Sequence, residues 1–206
     1  MTARALLLAA ALVLGGCAAG GLHDFERGPH AVRVAGTVIH DAVQDRDIPV
    51  RVAAPQEPGR YPVVIFSHGA FCYPQNYSRV TDHWASHGYI VLSPDHLDSP
   101  NNAARLGPDQ LGRLLDSRLQ DLTRVADAAA EITAGAGMAA VPDTSRMAIA
   151  GHSFGGMLAQ IKAGLLLRDP ATGAAVDRSD PRFRAALVMS GVGQMPQMAA
   201  DAFAGL

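Results

Sequence analysis

Two stretches near the start of the chain alternate apolar with polar residues: Val32-Arg33-Val34-Ala35-Gly36-Thr37-Val38 and Ile48-Pro49-Val50-Arg51-Val52. A period of two marks half-buried strands, and Asp45-Arg46-Asp47 between them suits a hairpin turn. From residue 63 the pattern changes. Val63-Val64-Ile65-Phe66 is a continuous apolar run bounded by Pro62 and Gly69, as expected of a strand covered on both faces. Tyr89-Ile90-Val91-Leu92, Met147-Ala148-Ile149-Ala150 and Ala185-Ala186-Leu187-Val188-Met189 repeat that character and predict three more buried strands. Helices are predicted between them, over 77–87 with its end at Gly88, and over 156–167. Between 109 and 132, Leu111, Leu115, Leu119, Leu122, Val125, Ala129 and Ile132 recur three or four residues apart, an amphipathic helix with a break near Asp116 or Ser117. Residues 169–180 read as a polar surface loop. Strands alternating with helices of this length imply an α/β fold, a mainly parallel sheet with helices on both faces.

Composition narrows the class. At 206 residues, the chain has room for one ordinary domain. With 49% apolar and 17% charged residues it is neither disordered nor fibrous. A formal net charge of -2, without a basic stripe, provides no electrostatic footprint for nucleic acid.

The N-terminus has its own signature. Arg4 precedes the apolar run Ala5 to Leu14 and then Gly15-Gly16-Cys17, the pattern of a secretory signal peptide. That run is shorter than the roughly 20 residues a membrane-spanning helix needs. Leu14-Gly15-Gly16-Cys17 resembles the lipobox of bacterial lipoproteins, in which the cysteine is lipidated and becomes the new N-terminus. Ordinary cleavage near Ala18 or Ala19 is the alternative. The expected layout is a signal peptide at 1–16, a Gly- and Ala-rich tether at 17–29 and one domain at 30–206. The expected location is across the inner membrane, lipid-anchored through Cys17, in the outer membrane or periplasm of a bacterium. With Cys17 lipidated, Cys72 has no partner in the chain and reads as a small buried or half-buried residue rather than a nucleophile.

The chemistry centres on Gly151-His152-Ser153-Phe154-Gly155, a G-x-S-x-G nucleophile elbow. A serine on a tight strand-to-helix turn has strained backbone angles, and its neighbours pack too closely for side chains. The turn lifts the hydroxyl clear of the sheet and sets a helix N-terminus behind a developing oxyanion. Chance alone would give roughly 0.1 such matches in a chain of this composition. Here the motif follows a buried strand and precedes a helix, where its mechanism requires it. Phe66-Ser67-His68-Gly69-Ala70-Phe71 follows the first buried strand, the usual place for a second oxyanion donor. The backbone N–H groups of Ala70 and Phe154 are the candidate pair.

The segments VVIFSHGAF, YSRVTDHWASHGYIVLSPDH, RMAIAGHSFGG and DPRFRAALVMSG resemble the α/β-hydrolase superfamily. They are most similar to its branch of platelet-activating-factor acetylhydrolases and dienelactone-hydrolase-like lipases and esterases. The resemblance runs from about residue 48 to 191 and implies Ser153 as nucleophile, Ala70 and Phe154 as oxyanion donors, and no metal or organic cofactor. True dienelactone hydrolases carry cysteine at the elbow, so Ser153 favours a small ester or lipid substrate. A cutinase-like polyester hydrolase is the runner-up among enzymes, and a non-catalytic remnant or binding module of the same fold is the alternative outside them.

The family orders its triad as serine, acid, histidine. All eight histidines of this chain (His23, His30, His40, His68, His83, His87, His96 and His152) precede Ser153. The resemblance places the missing acid and histidine after the seventh and eighth strands, so the expectation is a C-terminally truncated hydrolase lacking its last two strands. Such a chain is expected to be aggregation-prone and nearly inactive. His68 as base, and Asp201 as acid, are weaker readings; His152 is expected to pack beside the elbow. Asp95-His96-Leu97-Asp98 reads as a loop network rather than a metal site, and Tyr77 and Trp84 as helix core.

Overall fold

The computed structural model describes residues 26–102, 110–191, 193, 195–204 and 206. The expected signal peptide, Cys17, most of the expected tether and residue 109 lie outside the described residues. The two alternating stretches form β1 (Val32–Asp41) and β2 (Arg46–Pro55), paired antiparallel with Ile39 opposite Ile48. Their turn covers residues 42–45 and is closed by Asp45 in the left-handed region, at φ 47°; it therefore lies before the expected Asp45-Arg46-Asp47, whose last two residues already pair with Asp41 and His40 in the ladder. The elements that follow are β3 (Gly59–Ser67), α1 (Ser78–Ser86), β4 (Ile90–Pro94), α2 (Leu111–Asp127), α3 (Ala129–Gly135), β5 (Ala140–His152) and α4 (Phe154–Ala163). Two short strands, β6 (Leu167–Arg168) and β7 (Ala175–Val176), precede β8 (Phe183–Met189).

The main sheet has the order β1-β2-β4-β3-β5-β8, parallel from β4 through β8, with β2 antiparallel to both neighbours. The apolar runs at its centre serve both faces. Val63 and Ile65 of β3, with Ile90 and Leu92 of β4, join a large cluster with Leu119, Leu122, Val125, Ile132, Leu158 and Ile161 of α2, α3 and α4. Val64, Phe66 and Val91 point the other way and pack with Ala85 and Trp84 of α1. A strand flanked on both sides by helices gains nothing from polar alternation, which is why these strands read as unbroken apolar runs.

Four further expectations need correction. The long helix does not break near Asp116 or Ser117; it runs to Asp127 and breaks at Ala128, where ψ of 11° interrupts the helical geometry before α3. The predicted helix over 156–167 starts two residues earlier, at Phe154, and stops at Ala163 because Gly164 takes φ 126° and turns the chain. The 169–180 loop contains β7, paired antiparallel with β6. Finally, β8 is a strand but not a buried one. Ala185, Ala186 and Leu187 are exposed, the last at 49%, because β8 is the outermost strand of the described sheet and pairs only with β5.

Candidate active site

The elbow is strained in the way its motif predicts. Ser153 sits between β5 and α4 at φ 54° and ψ -118°, a conformation that L-residues adopt only under constraint. The constraint is visible. The Ser153 N–H donates to Met189 O of β8 at 2.9 Å, and its carbonyl accepts from Met157 N–H at 3.0 Å. The flanking glycines are steric requirements. A Cβ on Gly151 would lie 2.2 Å from Gly155 O, and one on Gly155 would lie 2.1 Å from Ser67 O. The second contact shows that the elbow is seated directly against the end of β3, from which the 68–71 loop departs.

That loop is held by buried groups. Arg118 of α2 is fully buried and donates from Nη1 to His68 O (2.6 Å) and from Nη2 to Gly69 O (3.1 Å). The same guanidinium forms a two-point ion pair with Asp98, Nε to Oδ1 at 2.9 Å and Nη2 to Oδ2 at 2.7 Å. Asp98 also accepts the Phe71 N–H at 2.8 Å, and these donors hold its carboxyl below the usual range despite the opposing effect of burial. Phe71 is held at φ 57° and is 61% exposed. The Gly69 N–H donates to the Tyr77 hydroxyl (3.1 Å), which hydrogen-bonds His152 Nδ1 (2.8 Å) and so ties the loop to the elbow.

Beneath the loop lies a buried chain with the residue types of a catalytic triad. Ser67 Oγ meets His96 Nε2 at 2.9 Å, and His96 Nδ1 meets Asp121 Oδ2 at 2.8 Å. Asp121 is further bound by Gln44 and by the Arg46 guanidinium. All three residues of the chain are fully buried, so no substrate reaches Ser67. The arrangement is internal scaffolding. His68 belongs to it, because its Nε2 accepts the His96 N–H (3.1 Å). A backbone N–H can only donate, so Nε2 is unprotonated and Nδ1–H donates to Gly69 O at 2.8 Å. Burial, reinforced by the neighbouring His96 and Arg118, brings His68 down to about 2.

The elbow residues Gly151, His152, Ser153, Phe154 and Gly155 meet the loop at Ser67, His68 and Gly69, and Ala70 follows next in that loop. Among the described residues the Ser153 hydroxyl and the N–H groups of Ala70 and Phe154 have no hydrogen-bond partner. His68 and His96 have both ring nitrogens engaged elsewhere. Asp95, His96 and Asp98 form the expected loop network, with Asp95 accepting from Asn101 at 2.8 Å. The Tyr77 and Trp84 rings pack on Phe66 as helix core, at centroid distances of 4.9 and 6.0 Å. Arg118 and the Tyr77 hydroxyl were not singled out in the sequence. Arg118 lies four residues after Leu114 and four before Leu122, so a charge inside the apolar stripe of α2 was the available signal.

A six-stranded, mainly parallel sheet with this strand order and a serine elbow after its fifth strand defines an α/β hydrolase. Among solved structures, a Klebsiella pneumoniae protein assigned as a dienelactone hydrolase superposes with a TM-score of 0.57 at 22% identity, covering 82% of this chain and 65% of that one. A cold-adapted esterase from an Arctic intertidal metagenomic library gives 0.51 at 19%, covering 79% and 62%. These likenesses show the fold. The chlorophyllase family model matches residues 22–167, and the chain belongs to that family. Chlorophyllase-2 of Arabidopsis thaliana is 32% identical over 112 residues, 52% of this chain and 31% of the relative. Chlorophyllase-1 of the same plant is 50% identical over 46 residues, 22% of this chain and 14% of the relative. The matches thus span less than a third of the length of either relative. The sequence motifs pointed to the esterase branch of the superfamily, and the family model gives the family within that superfamily as chlorophyllase.

Proposed function

We propose that the chain is a serine-dependent carboxylic-ester hydrolase, in which Ser153 Oγ attacks the ester carbonyl carbon and the N–H groups of Ala70 and Phe154 bind the resulting oxyanion. The carbonyl–alkoxy bond then breaks, the alcohol leaves with a proton, and the acyl group remains on Ser153. Water attacks this acyl-enzyme, releases the acid and restores the hydroxyl. The observation that carries the reading is the strained Ser153 backbone between two glycines that admit no Cβ, seated against a loop with a free N–H. The relatives' name states action on chlorophyll, so we propose chlorophyll beside p-nitrophenyl butyrate as the first esters to assay. We further propose that Cys17 carries the lipid that anchors residues 30–206 to a membrane.

No histidine follows Ser153 in the 206 residues, and none of those described is bonded to its hydroxyl. Lack of a positioned base costs about 10²–10⁴-fold in rate, so weak turnover is expected of the purified chain. The test is labelling by a fluorophosphonate, which requires an activatable serine, together with p-nitrophenyl butyrate hydrolysis. Ser153→Ala is expected to abolish both. Labelling or hydrolysis that survives Ser153→Ala removes this reading, and a chain that binds ester without ever labelling is the non-catalytic binding module.

A further inference from the structure

We propose that Arg118 is a positioning residue for the oxyanion hole, its guanidinium fixing the Gly69–Ala70 peptide and thereby the direction of the Ala70 N–H. The inference rests on the roles proposed above for Ser153, Ala70 and Phe154. In a planar trans peptide the C=O of one residue and the N–H of the next point in opposite directions, so whatever grips Gly69 O aims Ala70 N–H. Gly69 O is gripped by Arg118 Nη2 at 3.1 Å, by His68 Nδ1 at 2.8 Å and by the Cys72 N–H at 3.2 Å. The preceding peptide is held as well, through His68 O and Arg118 Nη1 at 2.6 Å. The following peptide is held through the Phe71 N–H and Asp98 at 2.8 Å.

Three consecutive peptides are therefore anchored by one buried Arg118–Asp98 pair, and among the described residues the Ala70 N–H in the middle has no acceptor. A cationic donor on Gly69 O also polarises that peptide, which makes its N–H a stronger donor. The same guanidinium reaches the second donor residue, with its Cζ 5.0 Å from the centroid of the Phe154 ring. A purely structural ion pair accounts for the contacts to Asp98. It does not account for donors spent on two successive carbonyls of the loop.

The experiment compares the native chain with Arg118→Lys, which keeps the charge but loses the planar fork. A double variant, Arg118→Met with Asp98→Asn, removes the pair without leaving a buried charge and serves if the lysine variant does not fold. Two quantities are read in each folded variant: the rate of fluorophosphonate labelling at Ser153, and the ¹⁵N resonance of the Ala70 amide in ¹⁵N-alanine-labelled protein. Loss of an oxyanion donor slows reaction about 10²–10³-fold, so misaiming it is expected to slow labelling about tenfold or more. The Ala70 resonance is expected to shift while alanine amides far from the loop hold still. The proposal requires both effects; a native labelling rate, or an unmoved Ala70 resonance, in a folded variant overturns it. If the native chain does not label at Ser153, the hydrolase reading fails on its own, and the Ala70 resonance still decides whether Arg118 sets that peptide.

Discussion

Gly155 and Gly112 both lie in helical backbone, yet their surroundings set opposite expectations for alanine. At an exposed helical site the exchange is favourable by up to about 1 kcal/mol, because glycine is the more flexible residue when unfolded. Gly112 is such a site, with nothing among the described residues within 4 Å of an added Cβ. Its first-turn position reduces the benefit, and Gly112→Ala is expected to stabilise by about 0.5 kcal/mol. At Gly155 the Cβ would lie 2.1 Å from Ser67 O and 2.7 Å from His68 O, both backbone atoms that no rotamer change can move aside. Gly155→Ala is expected to destabilise by about 3 kcal/mol, through strain where β3 meets the elbow. Urea unfolding of the two variants beside the native chain checks the sign of each. A Gly155→Ala protein of native stability would mean that elbow and loop are not in contact in solution. The glycines of the motif were legible in the sequence because the elbow is a five-residue pattern, although only the demand at Gly151, against Gly155 O, arises within it; that at Gly155 comes from Ser67 O of β3. The partners of the loop were not, since Arg118 is 50 residues from His68 and Tyr77 is 75 from His152.

At the scale of elements, periodicity located strands and helices because it records which faces are covered, and it failed where coverage depends on the sheet neighbour. The apolar run of β8 reads like that of β3, yet β3 lies between β4 and β5 while β8 is outermost. Burial is a property of that position and not of the run. The helix ends were missed for a related reason. Gly164 and Ala128 differ in no simple sequence signal from glycines and alanines that continue a helix, and only the tertiary path uses them as stops. An exposed apolar edge strand is a template for pairing with other chains. Leu187→Lys is therefore expected to change unfolding free energy by no more than about 0.5 kcal/mol, since the side chain is already 49% exposed. It should also reduce self-association, as read by light scattering at rising concentration. A large loss of stability would place Leu187 in a core that the described residues do not form.

For the whole molecule, the buried network under the 68–71 loop couples folding to pH. His68 and His96 are fully buried and neutral, with one ring nitrogen of each accepting a hydrogen bond. Burial, reinforced by nearby positive charge, depresses both below the ordinary imidazole value of 6.5, His68 to about 2. The unfolded chain therefore binds protons that the folded chain refuses, so the stability contribution is whole above pH 6.5 and is lost as pH falls. At pH 5.5 each histidine withdraws roughly 1 to 2 kcal/mol. Asp121 works in the opposite sense. Burial pushes its carboxyl up to about 6, against the pull of Arg46, so as pH falls through 6 the folded form takes up a proton well before the unfolded chain does and recovers part of the loss. That recovery is roughly 1 kcal/mol at pH 5.5, smaller than the combined loss from two histidines. The net expectation is a fall of roughly 2 kcal/mol between pH 7.5 and 5.5 with little change above pH 7, measured as unfolding free energy in urea at each pH. Stability that stays level or rises on acidification would mean that the histidines are charged in the folded state, which is incompatible with the His96 N–H donating to His68 Nε2 and with the tautomer that lets His68 hold the Gly69 carbonyl.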